Sequence, residues 1–142
     1  MLVGACWLLS ATSVKGAELT VAFWNVENLF DTVDDLDLDG DEEFTPNGSK
    51  AWTAERLEIK LDNLSRVIKQ MNHGKGPDVL GLCEIENRAV VTMLLKKLQS
   101  LGRDYQITHR DSPSHRGIDC ALLHDAKVLQ LVGTPRFHEI KD

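Results

Sequence analysis

The sequence predicts an α/β fold, and three observations carry that prediction. Two short β-type segments, residues 19–26 and 79–83, each run into a cluster of polar groups. Between them lies a helical stretch whose apolar positions Leu57, Leu61, Leu64, Ile68 and Met71 recur at spacings of four and three. A strand–helix–strand crossover of this kind places its two strands parallel in one sheet, with a right-handed connection.

Residues 19–26 are rich in β-branched and aromatic side chains and end in Asn25-Val26-Glu27-Asn28. A polar, acidic loop then runs to about Lys50. Thr53 is a suitable N-cap for the first helix, which the sequence ends near Asn72-His73-Gly74, before Gly76 and Pro77. The run Val79-Leu80-Gly81-Leu82-Cys83 is continuously apolar, as in a strand covered on both faces, and it leads into Glu84-Ile85-Glu86. Asn87 caps a second helix with apolar Val91, Leu94, Leu95, Leu98 and Leu101, stopped by Gly102. Further strands are expected over residues 105–109, 118–124 and 128–132.

The 142 residues suffice for one domain with a core. The formal net charge of −6 would disfavour loose nucleic-acid binding if it were evenly spread. It is not. Residues 31–43 hold eight acids and no base, leaving 14 of the 22 acids to face 16 bases elsewhere.

Residues 1–17 read as a secretory signal peptide: a short apolar run, then small residues and Val14-Lys15-Gly16-Ala17. The run is too short to span a bilayer, so no stable membrane span is expected and the protein is expected to be secreted or periplasmic. No positive charge precedes the run, and Lys15 is awkward within a cleavage site; a buried N-terminal strand or helix is the other reading. Val3-Gly4-Ala5-Cys6 has the look of a lipoprotein box, but the apolar run continues past Cys6. Downstream, Cys83 and Cys120 sit in apolar stretches and read as small buried hydrophobes. An oxidising compartment would also permit a disulfide between them.

Both early strands end in polar groups: Asn25 and Glu27 after the first, Glu84 and Glu86 after the second. Parallel strands bring these to the same carboxyl edge, where open α/β sheets build their sites. An amide oxygen with two or more carboxylates is a hard-oxygen set that suits Mg²⁺ or Mn²⁺ better than zinc or copper. Ordinary strand-end and capping polars would leave the same pattern.

The residues themselves go further. Phe23-Trp24-Asn25-Val26-Glu27-Asn28-Leu29 resembles the opening strand motif of the endonuclease/exonuclease/phosphatase superfamily. Asp78-Val79-Leu80-Gly81-Leu82-Cys83-Glu84 resembles its second motif, and Arg116-Gly117-Ile118-Asp119-Cys120-Ala121-Leu122-Leu123 the strand that follows in secreted bacterial members. The resemblance covers residues 19–131, and the order and spacing of the motifs carry it. It implies half of a four-layer α/β sandwich, mixed sheets flanked by helices, with residues 18–142 as the N-terminal part of the domain. It also implies a metal-dependent phosphoester hydrolase. Glu84 matches the principal metal-binding glutamate. Asn25 matches the asparagine that lies beside the metal and orients the phosphate. Glu27 matches an acid that is a metal ligand in some members. Arg116 and Asp119 could face substrate, or be a turn arginine and a strand polar.

The superfamily's second half carries an Asp-x-Asn motif and a late Asp-His pair, and these 142 residues contain neither. Histidines 73, 109, 115, 124 and 138 show no carboxylate–histidine pattern in sequence, so none is assigned as a base. The chain alone is therefore expected to be inactive or severely impaired. Asp35, Asp37, Asp39 and Gly40 look like the start of a Ca²⁺ loop, but Pro46 stands where an EF-hand needs its bidentate Glu; a solvated acidic loop is the alternative. Three functions follow: a secreted nuclease acting on nucleic acid, a small-molecule or lipid phosphoesterase of the same superfamily, and a non-catalytic calcium-binding surface protein.

Overall fold

The computed structural model describes residues 18–35, 40–113 and 115–136, so residues 1–17, which the sequence reads as a signal peptide, and loop residues 36–39 lie outside it. The chain runs β1 (Val21–Leu29), α1 (Ala54–Gly74), β2 (Val79–Ile85), α2 (Arg88–Leu98), β3 (Tyr105–His109) and β4 (Asp119–Asp125). The sheet is mixed, in the order β1-β2-β4-β3. β1 pairs parallel with β2, as the crossover requires, while β4 is antiparallel to both β2 and β3. The α/β class expected from the sequence is the class observed.

Both helices start on the expected caps. Thr53 Oγ1 accepts the Arg56 N–H at 3.3 Å, and Asn87 Oδ1 accepts the Val90 N–H at 3.0 Å. Helical geometry is lost over Met71, Asn72 and His73, and Gly102 (φ 66°) closes the single 3-10 turn that follows α2. Leu57, Leu61, Leu64 and Ile68 of α1 and Val90, Val91, Leu94 and Leu98 of α2 bury themselves with Leu80, Leu82, Ala121 and Leu123 of the sheet. Each buried Leu, Ile or Val among them contributes about 1.5–3 kcal/mol by leaving water.

The opposite face of the sheet is open. Val21 and Phe23 on β1 and Leu122 on β4 are exposed, Phe23 by 72%. The Phe23 ring lies across Gly81, where a Cβ would meet its Cδ2 at 2.5 Å. Cys83 and Cys120 also belong to this face. Cys83 is half-buried and Cys120 exposed, so they are not the buried hydrophobes their apolar flanks suggested.

The strand expected over residues 128–132 is absent. Val128 and Leu129 donate instead to the Asp125 carbonyl, turning the chain out of β4, and Val132 is 93% exposed. The turn closed on the Asp125 carbonyl ends the β4 ladder, and residues 128–132 pair with no strand among the described residues.

The acidic passage is packed down over its second half. Phe44 stacks on Phe30 with ring centroids 4.1 Å apart, Trp52 meets Phe44 edge-on, and Trp52 Nε1 donates to the Phe30 carbonyl at 3.0 Å. These ring contacts anchor the passage around Phe44 to Phe30 and Trp52.

Candidate active site at the carboxyl edge of the sheet

β1 and β2 both break their regular ladders where the polar motifs begin. Between the pairs Asn25↔Cys83 and Leu29↔Ile85, β1 advances four residues while β2 advances two. Between Cys83↔Cys120 and Ile85↔Asp119, β2 advances two residues while β4 advances one. Glu84 thus occupies a bulge in β2, and residues 26–28 a larger one in β1. Bulges re-aim side chains. Here they keep Val26, Leu29 and Ile85 in the core while turning Glu27 and Glu84 out of it.

The backbone is strained at the same residues. Glu27 (φ 55°), Asn28 (φ 61°) and Glu84 (φ 59°) all adopt the left-handed region without being glycine. Each costs of order 1 kcal/mol and persists only where the surroundings enforce it. Such residues concentrate at functional sites.

The side chains converge accordingly. Asn25 Nδ2 donates to Glu84 Oε1 at 2.9 Å, across 59 residues of sequence, and Asn25 Oδ1 accepts the Glu27 N–H at 2.8 Å. One amide therefore fixes Glu84 with its donor end and the β1 bulge with its acceptor end. Lys60 Nζ reaches over from α1 to the carbonyls of Glu27 (2.5 Å) and Asn28 (3.3 Å), above the Trp52 ring. Burial pulls its ammonium pKa down, while the Glu27 and Glu84 carboxylates act to raise it. A cation thus already stands in the field of both acids. Asn25, Glu27 and Glu84 offer oxygen donors of the kind a hard divalent ion takes.

A second acidic group lies beside this one. Glu86 is buried and accepts the Asp31 N–H at 2.6 Å; Asn87 Nδ2 donates to Asp31 at 3.1 Å. Burial, with the charges of Asp31, Asp41 and Asp35, pushes the Glu86 carboxyl up to about 7 despite the Asp31 N–H. Asp41 is also buried: one oxygen accepts the Asp35 N–H at 2.6 Å, while Oδ1 has no hydrogen-bond partner. The suggested calcium loop has its central residues 36–39 outside the described chain.

At the far side of the same edge, Arg116 lies exposed in the β3–β4 loop. Asp119 is buried. Its Oδ1 accepts the Ser112 N–H at 2.8 Å, and its Oδ2 lies 3.3 Å from His109 Nε2. Nε2 of His109 and one oxygen each of Asp111 and Asp119 lie within 4.8 Å of one another, an arrangement that could hold a metal ion. The His109–Asp119 contact is hidden in the sequence because nine residues lie between them; the hairpin closes that gap. Lys60 was also missed, since a lysine beside an apolar helix face reads as ordinary surface.

A mixed α/β sheet with carboxylates and an amide gathered on its bulged carboxyl edge has the layout in which open α/β proteins place their ligand sites. Residues 20–141 match the model of the endonuclease/exonuclease/phosphatase family, so the chain belongs to that family, one of phosphoester hydrolases. No curated protein and no solved structure gives a significant match. Among the described residues no helix is long and apolar enough to cross a membrane.

Proposed function

We propose that this edge is the metal-binding half of a Mg²⁺- or Mn²⁺-dependent phosphoesterase site, with a nuclease as the first reading and a small-molecule or lipid phosphoesterase as the second. The observation that supports it best is the Asn25–Glu84 hydrogen bond between two strained, bulged strand ends. Glu84, Asn25 and Glu27 are the residues that would hold the ion. Such an ion supplies charge neutralisation at a non-bridging phosphate oxygen and assistance to the leaving oxygen.

The chain's own part is placement. Asn25 fixes the Glu84 carboxylate through one amide hydrogen and has a second hydrogen with which to orient a phosphate oxygen. Lys60 holds the β1 bulge closed and adds positive charge beside the acids, which favours an anionic substrate. Export through residues 1–17 belongs to the same proposal and agrees with scavenging of extracellular nucleic acid.

Mn²⁺ titration of the chain, read by the loss of free-ion electron spin resonance signal, tests the site without requiring turnover. Binding should weaken at least about tenfold in Glu84→Gln, as for loss of a first ligand. Unchanged affinity in that variant would refute the assignment. Cleavage of plasmid DNA against bis(p-nitrophenyl) phosphate, each assayed with Mn²⁺, separates nuclease from phosphoesterase. A protein working only as a calcium-binding surface module would respond to Ca²⁺ and ignore Glu84.

A further inference from the structure

We propose that Cys83 and Cys120 are a disulfide-forming pair on the open face of the sheet, a redox modification site that pins β2 to β4 beside Glu84. The two residues are direct partners in the antiparallel β2–β4 ladder, although 36 positions separate them in sequence. Directly opposed residues point to the same side of a sheet. That side is the exposed one, shared with Phe23 over Gly81 and with Leu122.

The hydrogen-bond phase of the ladder decides whether the thiols can meet. The Asp125 N–H donates to the Asp78 carbonyl at 3.0 Å, whereas the Val79 N–H donates to Thr20, on the β1 side, at 3.1 Å. Backbone groups alternate in direction along a strand, so Leu80 and Leu82 address β4 while Gly81 and Cys83 address β1. Cys83↔Cys120 is therefore a non-hydrogen-bonded pair. Such pairs bring Cα atoms to about 4.5 Å, with side chains at their closest. Disulfides span Cα separations of roughly 4.4–6.8 Å, so the bond fits with little backbone movement. Hydrogen-bonded pairs hold their side chains further apart.

Both thiols are free in this structure. The oxidant is a low-molecular-weight disulfide such as oxidised glutathione. The exposed Cys120 thiolate attacks one glutathione sulfur, breaking the S–S bond and releasing one glutathione thiolate. Cys83 then attacks the Cys120 sulfur of the mixed disulfide and releases the second. The protein loses two electrons and two protons, which appear as two molecules of reduced glutathione. The new bond crosses the ladder between two site residues, one position before Glu84 and one after Asp119, where the β2 bulge interrupts regular pairing.

The test uses the 142-residue chain carrying Cys6→Ser, equilibrated with oxidised glutathione, alkylated and digested with trypsin. Peptide 76–88, which holds Cys83, should appear joined to peptide 117–127, which holds Cys120. The thermal midpoint should rise by about 10 °C, as for closure of a loop of this length, and dithiothreitol should reverse the rise. Cys120→Ser should abolish both effects while the chain still folds. Separate glutathionylated peptides, disulfides formed only between chains, or a midpoint that stays level or falls on oxidation would each overturn the proposal.

Discussion

At the amino edge of the sheet, Arg103 stands between two acids; at the carboxyl edge, acids gather around one another. Arg103 Nη1 meets Asp78 at 2.7 Å and Asp125 at 2.9 Å, and its other nitrogens donate to the Lys75 and Gly76 carbonyls, both at 2.6 Å. Asp78 also accepts the Thr20 N–H at 2.8 Å, and Asp125 the Asp104 N–H at 3.0 Å. The Thr20 N–H and then the Arg103 guanidinium hold the Asp78 carboxyl below its usual range. Burial works against Asp125, but its backbone donors and Arg103 outweigh it, so it too is lowered. Tyr105 completes the clasp by donating to the Pro77 carbonyl at 2.6 Å, and burial pushes its phenol up to about 12.

The carboxyl edge has the opposite balance. Glu86 is pushed up to about 7, Asp41 keeps an unpartnered oxygen, and three non-glycine residues hold left-handed backbone. One edge is satisfied and ties together the starts of β1, β2 and β3 and the end of β4. The other gathers its acids close together, with Lys60 as the cation in the field of Glu27 and Glu84. The clasp and the cluster of acids lie at opposite ends of the same four strands.

The sharpest way to break this contrast is Arg103→Ala, which leaves Asp78 and Asp125 buried without a counter-charge. A loss of about 3–5 kcal/mol in urea-unfolding free energy is expected; a loss below about 1 kcal/mol would show that the amino edge is not the clasp. Glu84→Gln should do the reverse. Its unfolding free energy should stay within about 1 kcal/mol of the parent, while Mn²⁺ affinity falls at least tenfold. Equal destabilisation by the two variants would erase the distinction between the edges.

Titration sharpens it further. A carboxyl raised in the folded state binds its proton more tightly there than in the unfolded chain. The folded state is therefore favoured at low pH, and that contribution is lost as pH rises from the ordinary value of 4.5 to about 7. Glu86→Gln should accordingly stabilise by about 1–2 kcal/mol at pH 8 and by little at pH 4, read from chemical unfolding at the two pH values. Asp78 and Asp125 carry the opposite sign. Their stabilisation is present above the ordinary carboxyl range and disappears as pH falls through their lowered values, so Arg103→Ala should flatten the acid limb of the stability profile.

The smallest expected effect is at Asn28, whose backbone is left-handed and whose Oδ1 is buried without a partner. Asn28→Gly relieves both and should stabilise by about 0.5–1 kcal/mol in thermal unfolding. A destabilisation would mean that the side chain holds the β1 bulge in a way the hydrogen bonds do not reveal.

Much of this was legible in the residues. The helix caps Thr53 and Asn87, the two amphipathic faces and the parallel pairing of β1 with β2 follow from local propensity and spacing. So does the gathering of Asn25 and Glu84 at one edge, because a crossover puts equivalent strand ends side by side. The strand expected over residues 128–132 did not form, because composition reports what could pair and not where a turn, here closed on the Asp125 carbonyl, ends the ladder. Cys83 and Cys120 were misread because an apolar run shows no difference between a face under helices and an open one.

What the sequence determined by itself is the α/β class and the polar composition of the site edge, since both rest on periodicities of a few residues. Only the tertiary structure decided how that edge works. The bulges at residues 26–28 and at Glu84 arise from register between strands that lie far apart in the chain, β1 with β2 and β2 with β4. Lys60 reaches Glu27 from another element, and His109 meets Asp119 across a hairpin. Charge balance at a buried edge is a sum over neighbours that chain order does not list, and the fold alone determines which acids find a partner.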